Sequence, residues 1–297
     1  MTKDIHFDYE MQLDQFIQRG IKVKNRRDAI HRLKHLSYYK LKEFASFFRQ
    51  TNGLYREGTF FETIIQNFYY DKNLRMEFLK CSEKIELSIK ARICYVLGAK
   101  YGAFGYLKFH SWCDRSLAKE LILKEEDNFK RKILKKMRVF SDNQLVKEFI
   151  FENPDKKYLS IWRVSEVLTF GEVLSLFTLM SHQNKVAVVK NYGLYVDEFV
   201  SYSNNIKFVR NLCAHNMAII NLKLKTVPKL NSNLQRYISD PYKIMTPILI
   251  MVYFVKIINP NYNFKDLYHT ISQFLEKFNP SVIGLKDQSE LKEFLNK

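Results

Sequence analysis

The sequence is poor in the residues that punctuate chain reversals: its 297 residues include only 9 Gly and 6 Pro. A many-stranded sandwich or barrel needs more turn residues, and doubly wound folds place glycine at their strand-to-helix turns. Cysteine is scarce as well. Cys81, Cys94, Cys113 and Cys213 form no CxxC or CxxH pair. That argues against a structural zinc site, so no metal or other cofactor is expected and the thiols should be reduced and mostly buried. Long apolar runs are missing too. The longest, Ile244 to Val255, contains Pro247 and falls far short of the ~20 residues that span a bilayer, so it reads as a buried helix. Met1 to Glu10 carries Asp4, Asp8 and Glu10 and no apolar stretch, so no leader, no membrane partner and a cytoplasmic location are expected.

What is present is apolar and basic. Hydrophobic residues make up 46% and aromatics 15%, which excludes a disordered chain and, with so few turn residues, predicts a mostly helical globular protein. Lys and Arg total 48 against 31 Asp and Glu, a formal charge of +17 that exceeds what solubility requires. It points to a polyanionic partner, nucleic acid first. Two stretches concentrate that charge. Between Arg19 and Arg49 there are ten basic residues against Asp28 and Glu43. From Phe199 to Ser239 there is no acid at all, although acids average about one in ten residues over the whole chain.

The apolar periodicity predicts the following order. A basic helix runs from Asn25 to Arg49, with Asn25 and Asp28 as a capping pair and Ile30, Leu33, Leu41, Phe44 and Phe48 on one face. Helical pattern resumes at Phe60 to Phe68, and a long helix covers Asp71 to Ala99, ended by Gly102 and Gly105. Glu83, Glu86, Lys90 and Arg92 on it are spaced for surface pairs. A charged helical excursion occupies 107–158, an apolar helix runs from Ile161 to Met180 and is interrupted or closely packed at Gly171, and another begins near Val196. The expected organisation is a basic N-terminal region (1–59), a helical core (60–258, carrying the 107–158 insertion) and a helical tail (259–297).

The acid-free stretch contains Arg210-Asn211-Leu212-Cys213-Ala214-His215. A histidine side chain exchanges protons near neutral pH, and an arginine fork grips a phosphate and offsets charge that builds on it. Together they suit phosphodiester chemistry. Asn211, four residues before His215, is spaced to orient the imidazole. Arg210, five residues before it, would lie ~140° away around an ideal helix. One helix therefore cannot easily present both to one phosphate, unless the helix is distorted or two copies of the chain meet. By itself the spacing is weak and is more often that of a helix-surface Arg and a hydrogen-bonded, partly buried His.

The motif Arg210-Asn211-Leu212-Cys213-Ala214-His215, followed by Asn221, resembles the signature of the abortive-infection (Abi) proteins of the AbiD/AbiF type, which belong to the HEPN superfamily. Three further segments match the same family in order: Leu36 to Leu41; Tyr70-Asp71-Lys72-Asn73-Leu74-Arg75 with Glu83 to Glu86 and Arg92; and Ile161-Trp162 with Glu166 and Leu168 to Gly171. The resemblance covers about residues 10 to 258. Ala218, Ile220 and Ser160 depart from it, standing where the family often has Arg, an aromatic and Pro. It implies an all-α fold with a HEPN-type core and a homodimer that brings two such motifs to one cleft. It also implies RNA cleavage without metal in phage defence or as a toxin, with a structured noncoding RNA as partner. Arg210, Asn211 and His215 would be catalytic, with Glu166 and Asn221 in support; Glu166 is equally readable as a surface residue or a structural partner.

RNA-binding candidates from charge are Arg26, Arg27, Arg32, Lys34, Lys40, Lys207, Lys223 and Lys225. The cluster of Tyr38, Tyr39, Phe44, Phe47, Phe48, Tyr69 and Tyr70 could stack bases, though helical spacing makes most of them core. His31 and His35 read as a solvated pair. A non-catalytic RNA-binding protein is the competing function. No helix-turn-helix or zinc pattern supports a DNA-binding regulator.

Overall fold

A computed structural model describes residues 6–296, so the leader reading at Met1 to Glu10 lies partly outside the described residues. The fold is all-α: among the described residues no strand forms, and only four isolated β-bridges occur. Helices α1 (Tyr9–Gln18), α2 (Arg26–His35) and α3 (Tyr38–Ala45) precede a long helix, α4 (Phe61–Tyr101). The short α5 (Phe109–Trp112), α6 (Lys119–Val139) and α7 (Gln144–Glu152) follow. Next come α8 (Ile161–Val167), α9 (Phe170–Leu179), α10 (His182–Val189) and α11 (Val196–Ala214). A long connection holds only α12 (Ser232–Gln235) before α13 (Met245–Ile258), α14 (Lys265–Leu275) and α15 (Gln288–Asn296).

Helix α4 is the spine, 41 residues and about 60 Å long. The two helices expected at 60–68 and 71–99 are one. No Gly or Pro lies between Phe61 and Leu97, and Ile64, Leu74, Phe78, Ile85, Ile89 and Ile93 keep one helical phase throughout. Gly102, at φ +77°, ends it as expected. Helices α3, α8, α9, α10, α11, α13 and α14 all pack on this spine. The apolar run at 244–255 is the buried α13, and Pro247 sits in its first turn, where no helical hydrogen bond is lost. All four cysteines are free and buried. No helix among the described residues is long and apolar enough to cross a membrane.

Two expected helices are each divided. Asn25 does cap α2, accepting from the Asp28 amide at 3.0 Å, but the helix stops at His35 and Leu36 is extended. The two halves bury against different partners: α2 lies on α1, whereas α3 lies on α4, so a straight rod from 25 to 49 could not satisfy both. The 161–180 helix is interrupted at Leu168-Thr169 rather than Gly171. Thr169 opens α9 with a reciprocal capping box to Glu172, whose carboxylate also takes Lys136 of α6 at 3.1 Å. That pair, with Phe129 and Ile133 buried, ties the 107–158 excursion to the body. One buried cluster extends from Leu13 to Leu295, across the boundaries expected after 59 and after 258.

Candidate functional site

Helix α11 carries the Arg–His motif to its C-terminal end. Tyr195 is its N-cap, the amide held by Glu198 at 2.9 Å, and the helix runs unbroken from Val196 through Ala214. Phe199, Tyr202, Ile206, Val209 and Cys213 form its buried stripe, which leaves Asn211 and His215 on the exposed side. Burial pushes the Cys213 thiol up to about 12, so it is a packing residue and not a nucleophile.

His215 is the C-cap. Beyond it the Asn216 amide bonds the Cys213 carbonyl at 3.1 Å, and the Met217 amide bonds the Leu212 carbonyl at 2.9 Å, the paired bonds of a Schellman turn. Asn216 takes the left-handed position at φ 56°, which asparagine tolerates better than most side chains. The turn is anchored from the spine. Asp71 Oδ1 accepts the amides of Ile219 (2.7 Å) and Ile220 (2.9 Å), and its Oδ2 accepts from Arg75 Nε at 2.7 Å. The same guanidinium donates to Asn216 Oδ1 at 2.9 Å. Both members of the Asp71–Arg75 pair are buried. Burial pushes the Asp71 carboxyl above its ordinary range, and the two amides and Arg75 oppose that shift. A buried ion pair is a weak source of net stability, so the value of this one lies in the groups it holds in place. Here it fixes the residues that follow His215.

The side chains of the motif diverge. With α11 regular from 210 to 214, Arg210 leans toward α4, where Nη2 lies 3.5 Å from Glu86 Oε2. Its Nη1 lies 3.3 Å from the Asn211 side-chain oxygen. Asn211 thus bonds Arg210 and not the imidazole it is spaced to orient. The His215 ring is exposed and makes no hydrogen bond among the described residues. Glu166 does not meet the motif: it is exposed on α8, accepting from Ser165 Oγ at 3.3 Å. The carboxylate beside Arg210 is Glu86, which also pairs with Lys90 at 2.9 Å. Asn221 reaches Ser46 Oγ at 3.4 Å, joining this segment to the end of α3. Ile220, one of the departures from the family pattern, is buried, and Ala218 is half-buried.

The cations divide into bound and free. Arg27, Lys34, Lys223 and Lys225 are exposed with no ion-pair or hydrogen-bond partner among the described residues. Arg26 is engaged: two of its guanidinium nitrogens hold Glu10 (2.9 and 2.6 Å) and one also holds Asp14 (2.9 Å). Those bonds raise its pKa further. Arg32 pairs with Asp28 at 3.5 Å and bonds the Tyr69 hydroxyl, and Lys40 pairs with Glu43 at 3.0 Å. Lys207 is half-buried, its stem lying over Gly171. Nor is the acid-free stretch electrostatically alone, because Asp71, Glu86 and Asp197 reach it from elsewhere.

Sequence reasoning missed Glu86 and Asn216 as parts of this site. The i, i+4 spacing of Asp71 with Arg75 and of Glu86 with Lys90 is visible in the sequence, but nothing local says which helix those groups will face.

A family model described as Abi-like protein matches residues 31–221, which includes α11, its terminal turn and the Asp71–Arg75 pair. No curated protein and no solved structure matches the chain. The matched span takes in well over half of the residues and ends where the anchored turn ends. The chain belongs to the Abi-like protein family.

Proposed function

We propose that this protein is a metal-independent RNA endonuclease of the HEPN type, acting as a toxin in abortive-infection defence against phage. The observation that carries the reading is the placement of His215: an exposed, unbonded imidazole on a backbone fixed by a Schellman turn that a buried ion pair anchors, at the end of the helix that also bears Arg210. A turn held so firmly beneath a free proton-transfer group suits catalysis, which needs a rigid support under its reacting side chains.

In the proposed reaction the RNA 2′-oxygen attacks the adjacent phosphorus and the 5′-oxygen leaves, giving a 2′,3′-cyclic phosphate and a 5′-hydroxyl. His215 moves the proton. Arg210 clamps the phosphate after exchanging its bond to Glu86, and Asn211 steadies the guanidinium. Because α11 is regular between the two residues, the distortion that would bring them together in one chain is missing, which favours two copies of the motif meeting across a homodimer. Met76 and Leu87 of α4, and Phe208 and Met217 beside the motif, are uncovered apolar groups on the surfaces that would meet.

His215→Ala and Arg210→Ala should each abolish RNA cleavage and cellular toxicity while leaving folding intact, since both side chains are outside the core. Toxicity equal to wild type in both variants, at matched expression, would overturn the catalytic reading. The second reading is a non-catalytic protein that holds a structured noncoding RNA. It is favoured by the prior engagement of Arg210 with Glu86 and by free cations on another helix, at Arg27 and Lys34 of α2. The two combine if that RNA restrains the nuclease. Sequencing RNA that copurifies with the protein separates a dedicated RNA partner, seen as one dominant structured species, from non-specific attraction, seen as a broad mixture.

A further inference from the structure

Where α1 meets the corner between α2 and α3 there is a cleft of about 670 Å³ that takes no part in the α11 site. That volume lies within the ~300–1,000 Å³ of small-ligand pockets. Tyr38 belongs to its wall, its ring 4.9 Å from the buried Phe16. Tyr39 stands edge-on to Tyr38 at 5.4 Å and is 76% exposed, so a large flat ring faces water with no apolar cover. The Lys42 ammonium sits over one face of the Tyr39 ring, 6.0 Å from its centroid, which leaves the other face for a base, and Arg19 and Lys34 complete the cationic lining. No carboxylate lines the cleft among the described residues. The two faces of α1 explain this: Gln12, Gln15 and Arg19 turn toward the cleft, whereas Glu10 and Asp14 turn away to hold Arg26.

A free aromatic face bordered by cations, with no acid among the described residues that line it, is the chemistry that accepts a nucleobase and its phosphate. We propose that this cleft binds one unpaired nucleotide of an RNA, with its base on Tyr39 and its phosphates against Lys34, Lys42 and Arg19. The nucleotide must be unpaired, because a base inside a duplex has both faces covered by its neighbours and cannot lie on a protein ring. The proposal rests on the RNA-directed function above and adds to it a second contact point, on residues outside the α11 motif.

The test compares binding of a short unstructured oligoribonucleotide with that of a blunt RNA duplex of equal length, in the full chain carrying His215→Ala to prevent cleavage. Adding Tyr39→Ala should weaken single-strand binding roughly fivefold or more and change duplex binding less than about twofold. Tyr39→Phe should restore single-strand affinity, since it keeps the ring. Lys34→Gln with Lys42→Gln should flatten the salt dependence. Tyr39 is exposed, so thermal melts of these variants should overlay. Single-strand affinity unchanged by Tyr39→Ala would overturn the cleft while leaving the nuclease reading intact, provided His215→Ala still abolishes cleavage. Loss of single-strand affinity alongside cleavage that persists in His215→Ala would support the cleft and overturn the catalytic assignment. Failure of the chain to bind either RNA would overturn both.

Discussion

Arg75, on the spine helix, donates to the side-chain oxygen of Asn216 at 2.9 Å across 141 residues of sequence, and Asn216 immediately follows His215. The guanidinium that reaches the turn is itself held by Asp71, so the position of His215 depends on a buried ion pair on another helix. Changes to α4 should therefore reach the α11 site without touching its exposed side chains.

Asp71→Asn should show this most directly. It leaves the Arg75 charge buried without its counter-ion, a loss of about 3–5 kcal/mol. Urea denaturation should register the drop. RNA cleavage by the fraction that remains folded should fall as well, because the turn beneath His215 loses its anchor. Unchanged cleavage per folded molecule would mean that the turn holds itself.

Glu172 carries a pH-dependent prediction. Burial acts to raise its carboxyl, but the Thr169 amide, Lys136 and the Thr169 hydroxyl outweigh that and hold it below the ordinary range. A carboxyl depressed in the folded state contributes stability above its unfolded pKa and loses it as pH falls through the folded value. Glu172→Gln should thus cost about 1 kcal/mol at neutral pH. The gap between the two proteins should close as the pH drops below the usual carboxylate range. Thermal melts across pH would settle it, and a gap that stays constant would contradict the linkage.

The basic N-terminal face should divide under mutation. Arg27→Gln with Lys34→Gln removes two free cations and should make the salt dependence of RNA binding shallower by about 0.7–0.9 for each phosphate that is no longer neutralised. Arg26→Gln should leave that slope alone, because Glu10 and Asp14 already occupy the guanidinium. Its effect should appear as faster hydrogen exchange in α1. Identical slopes for wild type and the double variant would move the RNA path to the connection bearing Lys223 and Lys225.

Gly98 of α4 lies directly against Trp162 and Ile161 of α8. A Cβ there would lie 2.6 Å from Cζ3 of Trp162 and 3.1 Å from Cγ2 of Ile161. Gly98→Ala should therefore destabilise the chain by about 1–3 kcal/mol despite its better helix propensity. A raised melting temperature would show that Trp162, which is half-exposed, swings aside at no cost.

The elements that follow from local rules were legible in the sequence. The apolar phase of α4 and α11, the Asn25 cap, the stop at Gly102 and the buried Ile244 to Val255 run all arise from periodicity and backbone preference within one segment. So did the Arg–His motif, because α11 is regular and its register can be counted. The division at Leu36 was not, because no Gly or Pro announces it and it exists only because α2 and α3 find different neighbours. The break in the 161–180 helix was expected at Gly171, whereas the Thr169–Glu172 capping box sets it at Leu168-Thr169.

The site shows the same boundary. Residue types and spacing determined by themselves that Arg210 and His215 share one helix yet lie far apart around it, and that this chain would carry much uncompensated positive charge. Only the tertiary structure decided which charges remain free. Arg26 is taken by α1, Arg210 leans on Glu86, and Asp71 reaches across to the turn after His215. Electrostatic and hydrogen-bond partners act through distances of a few ångströms in space, and for a chain folded around a 41-residue helix those distances join residues that the sequence holds far apart.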